Sequence, residues 1–333
     1  MSSQPSQVLI AANPKSGAGP SAQRVAELQA AITAAGFSCD TEHSLNSLRR
    51  RALELDARGE LRAVVSAGGD GTAEALANLL PGHIPLLLFP LGTENLLAKH
   101  WRITGDVQQA CAILRSDRRI AMDVGSANGK LFLVMLSCGF DADVVQRMHA
   151  IRAGHISRWS YARPIWGSLL NYRFPQLGWS IDPPQPVVDG PMPQGQSGLP
   201  PPPTQSLPPG QSLPPSQSRT AAWLFVFNVP RYAAALDFCP QADPTDGLLD
   251  VCSFQRSGLA SGVGYLTRLW LGSHQQMRDF AHVRCRHLEI PAPVDHNGQS
   301  ISVPFQVDGD PGGVLPLSVE VLPGRLTLLV PEI

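Results

Sequence analysis

Three times within the first 100 residues an aliphatic run ends in a glycine-bearing loop and hands over to a helical pattern: "QVLIAANPKSGAG", "LRAVVSAGGDGT" and "HIPLLLFPLGTEN". That alternation constrains the fold more than any other feature. Strands separated by helices pair in parallel, and a parallel sheet must be covered on both faces. Residues 21–35 set Val25, Leu28 and Ile32 on one helical face, with Gly36 placed to end the helix. Leu48, Ala52 and Leu55 mark a second helix closing near Gly59, and residues 72–80 a third, stopped by Pro81-Gly82. A short helix is expected after Thr93, and Asp106 is placed to cap one more that turns Val107, Ala110, Cys111 and Leu114 inward.

All three loops, residues 13–19, 68–72 and 90–95, leave the carboxyl ends of predicted strands, where open α/β sheets bind ligands. Glycine lets backbone N–H groups approach an anion closely, and each loop feeds a helix N-terminus whose free N–H groups favour negative charge. Ser16, Thr72 and Thr93 add hydroxyl donors. Asp70 would repel a polyphosphate by itself, so it points to a divalent cation or to the attacking hydroxyl. Neither G-x-x-x-x-G-K-[ST] nor G-x-G-x-x-G is present. Taken singly, each loop is an ordinary strand-to-helix turn. Three of them on one sheet edge make a phosphate cradle the better reading.

The pattern changes near residue 120. "RRIAMDVGSANGKLFLVMLSCG" predicts two strands joined by an Asn128-Gly129 hairpin. Short strand-like runs follow, with a helical stretch near residues 259–280, so the second half is expected to be mainly antiparallel with about six to eight strands. A chain of 333 residues accommodates two such units, taken as residues 1–120 and 121–333. The Pro-rich stretch at 183–218 has too little apolar mass to order itself and is expected to be a disordered loop insertion. A net charge of −1 excludes a dedicated nucleic-acid binder. Six scattered cysteines without a Cys-x-x-Cys pair suit reduced core residues of a cytoplasmic protein rather than zinc ligands or a disulfide framework. No signal peptide or membrane-length apolar run is present, which leaves a soluble chain or one attached peripherally at the inner face of the membrane.

"NPKSGAG", "GGDGT" and "PLGTEN", in this order, resemble the catalytic domain of the diacylglycerol kinase family, which includes bacterial lipid kinases and the sphingosine and ceramide kinases. The likeness continues through "DVGSANGKLFLVMLSCGFDADVV", "PQADPTDGLLDV" and "FQVDGDP", covering nearly the whole chain except the Pro-rich insertion. "GGDG" alone is shared with NAD kinases and phosphofructokinases; the order of motifs is what is specific. The resemblance implies an α/β fold: a three-layer parallel-sheet nucleotide-binding domain, then a mainly antiparallel β-sandwich domain, with the active site between them. It implies ATP contacts at Asn13, Pro14, Lys15, Ser16 and Gly17, at Gly68, Gly69, Asp70, Gly71, Thr72, Ala73 and Glu74, and at Thr93 and Thr41.

"VDGDP" supplies Asp308 and Asp310. On an extended strand, residues two apart face the same side, so both carboxylates are expected to enter one cleft and one of them to act as general base. The competing expectation is a D-G turn with solvated acids. In the family this motif ends in Glu, which is taken as the base; here the position is Asp310, and Asp308 and Asp310 both stay candidates. "ADPTDGLLD" resembles the family's structural divalent-cation loop, which implies Asp246 as carboxylate ligand with Asp243 and Leu248 giving carbonyls. Oxygen-only ligation suits Mg²⁺ or Ca²⁺, and a capped turn is the alternative. Leu96, Ala75, Val134 and Ala233-Ala234-Ala235 depart from the family pattern.

Residues 144–181 carry Arg147, Arg152, Arg158, Arg163 and Arg173 among Trp159, Trp166, Trp179, Tyr161 and Tyr172, a mixture suited either to a membrane interface or to a helix packed on the second domain. The chain is therefore expected to be an ATP- and Mg²⁺-dependent lipid kinase acting on diacylglycerol or a related lipid at a membrane surface, with a homodimer left open. The alternatives are a sphingoid base or another acceptor such as NAD, and a degenerate member that binds without turnover.

Overall fold

The computed structural model describes residues 6–12, 20–151, 172, 174–182, 219–232 and 236–332. The first part alternates as the periodicity predicts: β1 (Gln7–Ala12), α1 (Pro20–Ala34), β2 (Ser38–Glu42), α2 (Leu45–Ala57), β3 (Leu61–Gly68), α3 (Asp70–Leu79), β4 (Leu86–Pro90), α4 (Leu96–His100) and α5 (Val107–Ser116). Every residue of β3 is buried, as in a strand covered on both faces. Gly36 ends α1 with φ at +96°, and the Asp106 carboxylate caps α5 by accepting the Gln108 N–H at 3.0 Å. The strands run in parallel in the order β2-β1-β3-β4. Right-handed crossovers leave α1 packed with α5 on one face and α2 packed with α3 on the other. This is the three-layer α/β unit that the alternation implied.

The chain continues with β5 (Arg119–Ala127), β6 (Lys130–Phe132), β7 (Met135–Gly139), α6 (Phe140–Ile151), β8 (Leu177–Asp182), β9 (Arg219–Ala221), β10 (Trp223–Phe227), β11 (Arg231–Tyr232), β12 (Leu236–Asp237), β13 (Leu249–Phe254), α7 (Leu259–Trp270), β14 (Phe280–Cys285), β15 (His287–Ile290), β16 (Pro304–Val307), β17 (Asp310–Val314) and β18 (Leu317–Leu329). Fourteen strands from β5 onward exceed the six to eight expected, because several are two- or three-residue pieces without a hydrophobic run of their own. Asn128 and Gly129, at φ 48° and 85°, make the predicted hairpin turn between β5 and β6.

One sheet of the β part runs β14-β13-β10-β7-β16-β17. The facing layer holds β5, β15, β8 and β9 around β18, and Leu136, Leu177, Trp179, Leu224, Val251, Leu288 and Val319 fill the space between. This is the β-sandwich. β18 is its longest strand, and its last turn of register reaches the parallel sheet, where Leu328 pairs with Leu86 of β4. A shift in register between Leu322 and Leu326 bends it there. The two parts thus share a ten-stranded sheet.

β8 and β9 are adjacent, with Trp179 opposite Arg219. The Pro-rich stretch therefore connects two paired strands; it lies outside the described residues. Trp179 is 2% exposed with the Arg219 guanidinium over its ring, and Tyr172 packs edge-on against Phe140 and Phe174. These two aromatics belong to the core, which corrects the membrane-facing expectation for them. Arg147 pairs with Asp143 at 2.7 Å, and Arg152, Arg158, Arg163, Arg173, Trp159, Trp166 and Tyr161 lie outside the described residues. All six cysteines are free and buried, as their spacing suggested. Among the described residues no helix is long and apolar enough to cross a membrane.

Candidate active site

The second and third loops meet over the ends of β3 and β4. A side chain at Gly68 would drive into the Thr72 hydroxyl at 2.2 Å, so only glycine lets that hydroxyl fold over the strand end. A Cβ on Gly92 would stand 2.7 Å from the Gly69 Cα, so these two glycines allow backbone-to-backbone contact between the loops. Asn95 locks the third loop, its amide donating to the Gly92 carbonyl at 2.7 Å while its carbonyl oxygen accepts the Gly92 N–H at 3.1 Å. Gly71 and Thr93 are exposed on the rim, and Ala73 is buried beneath it. Thr41, at the carboxyl end of β2, donates to Gln29 Oε1 at 3.0 Å. Asn13, Pro14, Lys15, Ser16 and Gly17 lie outside the described residues.

Asp70 takes a different part from the one expected. Its two carboxylate oxygens accept the N–H groups of Leu96 at 2.8 Å and Leu97 at 3.1 Å, capping α4. Burial raises its pKa, and the two N–H donors and Lys99 oppose that. The residue read as a cation holder is thus first a clamp between the "GGDG" and "GTEN" loops. Beside it lies a hollow of about 10 Å³, room for a single water, lined by Ser66, Gly68, Asp70, Leu88, Asn95 and Ala98. The Ser66 hydroxyl is buried there without a protein partner. The hollow is far too small for a nucleotide, which leaves the open rim of the loops as the surface for one.

Helix α3 carries the site across to the β part. Glu74, one turn beyond Asp70 and 4% exposed, meets Lys130 Nζ at 2.9 Å across the boundary. Burial raises its pKa, Lys130 opposes this, and the charge of Asp310 adds to it. One turn further, Asn78 both donates to the Leu131 carbonyl at 3.1 Å and accepts the Leu131 N–H at 2.9 Å. Glu74, expected beside the nucleotide, therefore belongs to a seam.

The opposite wall is the β16–β17 hairpin. Asp308 and Gly309 form its two-residue turn, at φ 49° and 87°, with Val307 paired to Asp310. The extended geometry expected for this stretch does not occur, because a two-residue hairpin needs positive φ at both positions and Asp-Gly supplies it. Asp308 is no solvated turn acid either. Its oxygens accept three backbone N–H groups, from Leu133 at 2.7 Å and from Val134 and Met135 at 2.9 Å each. Burial raises its pKa to about 7 against those donors, and the charge of Glu74 pushes the same way. Asp310 stands at the rim, its side chain 42% exposed and 3.8 Å from His149 Nδ1 on α6. The two aspartates share a hairpin, but one is clamped and the other faces the opening.

Three polar residues that were not among the expected site residues support this wall. Asp123 is 3% exposed and accepts the N–H groups of Gly247 at 2.6 Å and Gly324 at 2.7 Å, tying the 243–248 loop to the bend in β18. Asn228 spans the carbonyls of Asp123 and Leu133, at 2.9 Å each. Asp141 accepts hydrogen bonds from Ser137, Tyr232 and Gln306, and burial raises its pKa. Gln306 in turn accepts the Gly309 N–H at 2.8 Å, so this network braces the Asp308 turn.

The 243–248 loop is satisfied by its own residues. Asp243 accepts the N–H and hydroxyl of Thr245, while Asp246 accepts the Leu248 N–H at 2.9 Å and pairs with Arg284 at 3.1 Å. Asp243, Asp246 and Leu248, the residues expected to hold a divalent ion, thus lie together in one turn, with the Arg284 guanidinium beside the Asp246 carboxylate.

Residues 7–127 match the family model described as diacylglycerol kinase catalytic domain, and residues 134–330 match that of the YegS C-terminal NAD kinase beta sandwich-like domain. Among curated relatives, a protein named diacylglycerol kinase from Mycobacterium tuberculosis is 25% identical over 277 residues, covering 81% of this chain and 77% of that one. A Pseudomonas aeruginosa protein named probable lipid kinase YegS-like is 37% identical over 98 residues, 28% of this chain and 32% of that one. A crystal structure of a diacylglycerol kinase from Bacillus anthracis str. Sterne matches at TM-score 0.60 and 16% identity, covering 98% and 97% of the two chains. Another structure from that organism reaches TM-score 0.67 at 17% identity, with 99% and 97% covered.

Proposed function

The chain belongs to the diacylglycerol kinase catalytic-domain family, and on that premise we propose that it transfers the γ-phosphate of ATP to a lipid hydroxyl, with diacylglycerol or a related lipid as acceptor. One observation carries the reading. Helix α3, which starts in the "GGDGT" loop, is bolted to the half that carries the Asp310 hairpin by Glu74 with Lys130 at 2.9 Å and Asn78 with Leu131. Glycine loops and a hairpin carboxylate from different halves of the chain thus border one seam.

ATP reaches this cleft as its Mg²⁺ complex, and the metal, as part of the substrate, offsets charge on the phosphates. The N–H groups and hydroxyls of Gly69, Gly71, Thr72 and Thr93 lie on the loop rim, where they can hold the phosphates together with the first loop, Asn13 to Gly17. Asp70 keeps the two rims together. Asp310 is the general base in this proposal, because Asp308 already receives three N–H donors while Asp310 opens to the cleft. It takes the proton of the lipid hydroxyl as the oxygen attacks the γ-phosphorus and ADP departs.

The test is transfer of labelled γ-phosphate from ATP·Mg²⁺ to lipids in mixed micelles, with diacylglycerol, monoacylglycerol, phosphatidylglycerol, sphingosine and ceramide side by side and NAD as a soluble control. A labelled lipid that disappears with Asp310→Asn is the expected result. ATP binding with no labelled lipid would replace the proposal with a binding protein that has lost turnover.

A further inference from the structure

A second cluster of reactive side chains lies outside the cleft and takes no part in phosphoryl transfer. On β13 and β14, Cys252 stands opposite His282 and Asp250 opposite Arg284. Alternation puts Asp250, Cys252 and His282 on one side of the sheet, away from the sandwich interior that Leu249, Val251 and Val283 line. The segment after β12 covers that side and brings Cys239 onto it. Cys239 Sγ, an Asp250 carboxylate oxygen and a His282 ring nitrogen all lie within 4.8 Å of one another. Asp250 Oδ1 and His282 Nε2 are 2.6 Å apart, and the Cys252 thiol adjoins that of Cys239.

The chemistry of this set is specific. Cys239 and Cys252 are fully buried, Asp250 is 1% exposed, and the His282 side chain keeps 12% at the rim as a path inward. A carboxylate buried that deeply needs a cation beside it. Arg284, its cross-strand neighbour, sends its guanidinium to Asp246 at 3.1 Å. The partner the structure gives Asp250 is the His282 ring, whose Nε2 lies 2.6 Å away. A metal ion would supply positive charge and also engage the Cys239 sulfur, which lies 3.9 Å from Gln241 Oε1 and beside the Cys252 thiol.

We propose that Cys239, Asp250 and His282, with Cys252 as fourth donor, form a structural site for Zn²⁺ or a similarly borderline-soft divalent cation. Two sulfurs, one imidazole nitrogen and one carboxylate oxygen are the donor types Zn²⁺ takes in closed sites. Uptake releases the His282 proton and the thiol protons to solvent. The ion fastens the segment from Cys239 to Leu248 onto β13 and β14. That segment is the one Asp123 grips at Gly247, and Asp123 also holds Gly324 in the bend of β18. The site would thus brace the segment that is tied to the strand shared by the two halves of the chain.

The experiment is a Co²⁺ titration of the full-length protein after removal of metal with a chelator. One equivalent should bind, with tetrahedral d–d absorption and a thiolate-to-cobalt charge-transfer band, and Zn²⁺ should displace it. Cys239→Ser and, separately, His282→Gln should weaken Co²⁺ binding by at least about 100-fold, more than changes around a metal's ligands usually bring. Glu289→Gln, an exposed carboxylate on β15 in the other sheet, should leave it unchanged. Should a ligand variant fail to fold, the unaltered protein still decides: Zn²⁺ must slow alkylation of Cys239, mapped by mass spectrometry, by roughly tenfold or more. No stoichiometric binding, a cobalt spectrum without the charge-transfer band, or a signal lost in Glu289→Gln but kept in Cys239→Ser would each overturn the site.

Discussion

Asp308 and Asp310 are two positions apart and do opposite things. Removing the Asp308 carboxylate strands three backbone N–H groups at residues 133–135. Asp308→Ala should therefore destabilise the fold by roughly 3 kcal/mol or more, read as a lower midpoint in urea. Asp310→Asn should keep the unfolding midpoint of the unaltered protein and lower kcat by about 10² or more. Asp308 also sets a pH dependence. Its folded pKa of about 7 lies above that of an unfolded aspartate, so the folded state holds the proton more tightly. That contribution is complete below about pH 4 and is lost as pH rises through 7. Between those limits the urea midpoint of the unaltered protein should fall more steeply than that of Asp308→Asn. The carboxylate pair was visible in the sequence and its division of labour was not, because strand alternation was assumed where Asp-Gly makes a turn. Asp123 and Asp141 lie in a stretch that carried the resemblance, but their bracing roles were not legible, since their partners are brought in by the tertiary fold. In "GGDGT" the need for Gly68 is local, since Thr72 of the same motif lies over it, whereas Gly69 is required by Gly92 of another loop, which no local pattern shows.

Elements repeat the lesson with helices. α3 is both the lip of the phosphate loops and the bolt to the β part, with Asp70, Glu74 and Asn78 at successive turns. Its hydrophobic periodicity fixed where it would form but said nothing of its polar face. α4 has only five residues and is held by Asp70 from another element. Replacing that carboxylate with an amide leaves one of the two N–H groups facing a donor. Asp70→Asn should then lose about 1–2 kcal/mol of stability and kinase activity together, unlike Asp310→Asn, which separates the two. Differential scanning calorimetry beside the lipid-phosphorylation assay distinguishes these outcomes.

At the scale of the molecule, the change of pattern near residue 120 was legible, and so was the class of each half. The shared sheet was not. No periodicity reveals that Leu328 will pair with Leu86, because parallel partners far apart in sequence leave no mark on either strand alone. Residues 7–127, the span of the catalytic-domain match, should accordingly be a poor independent fragment. With β18 absent, the β4 edge is left as an open row of N–H and C=O groups. Expressed alone, this fragment should aggregate or unfold without a cooperative transition, whereas adding residues 317–332 on a linker should restore one.

The same strand has a consequence for how the protein is made. A chain is synthesised from its N-terminal side, so β1 to β4 are translated before β5 to β17, and only then follows the strand that closes their sheet. Until β18 has emerged, the half that carries the glycine loops waits with one edge uncovered. The cell has to shield that edge, and a chain stopped before Leu317 would leave it exposed for good.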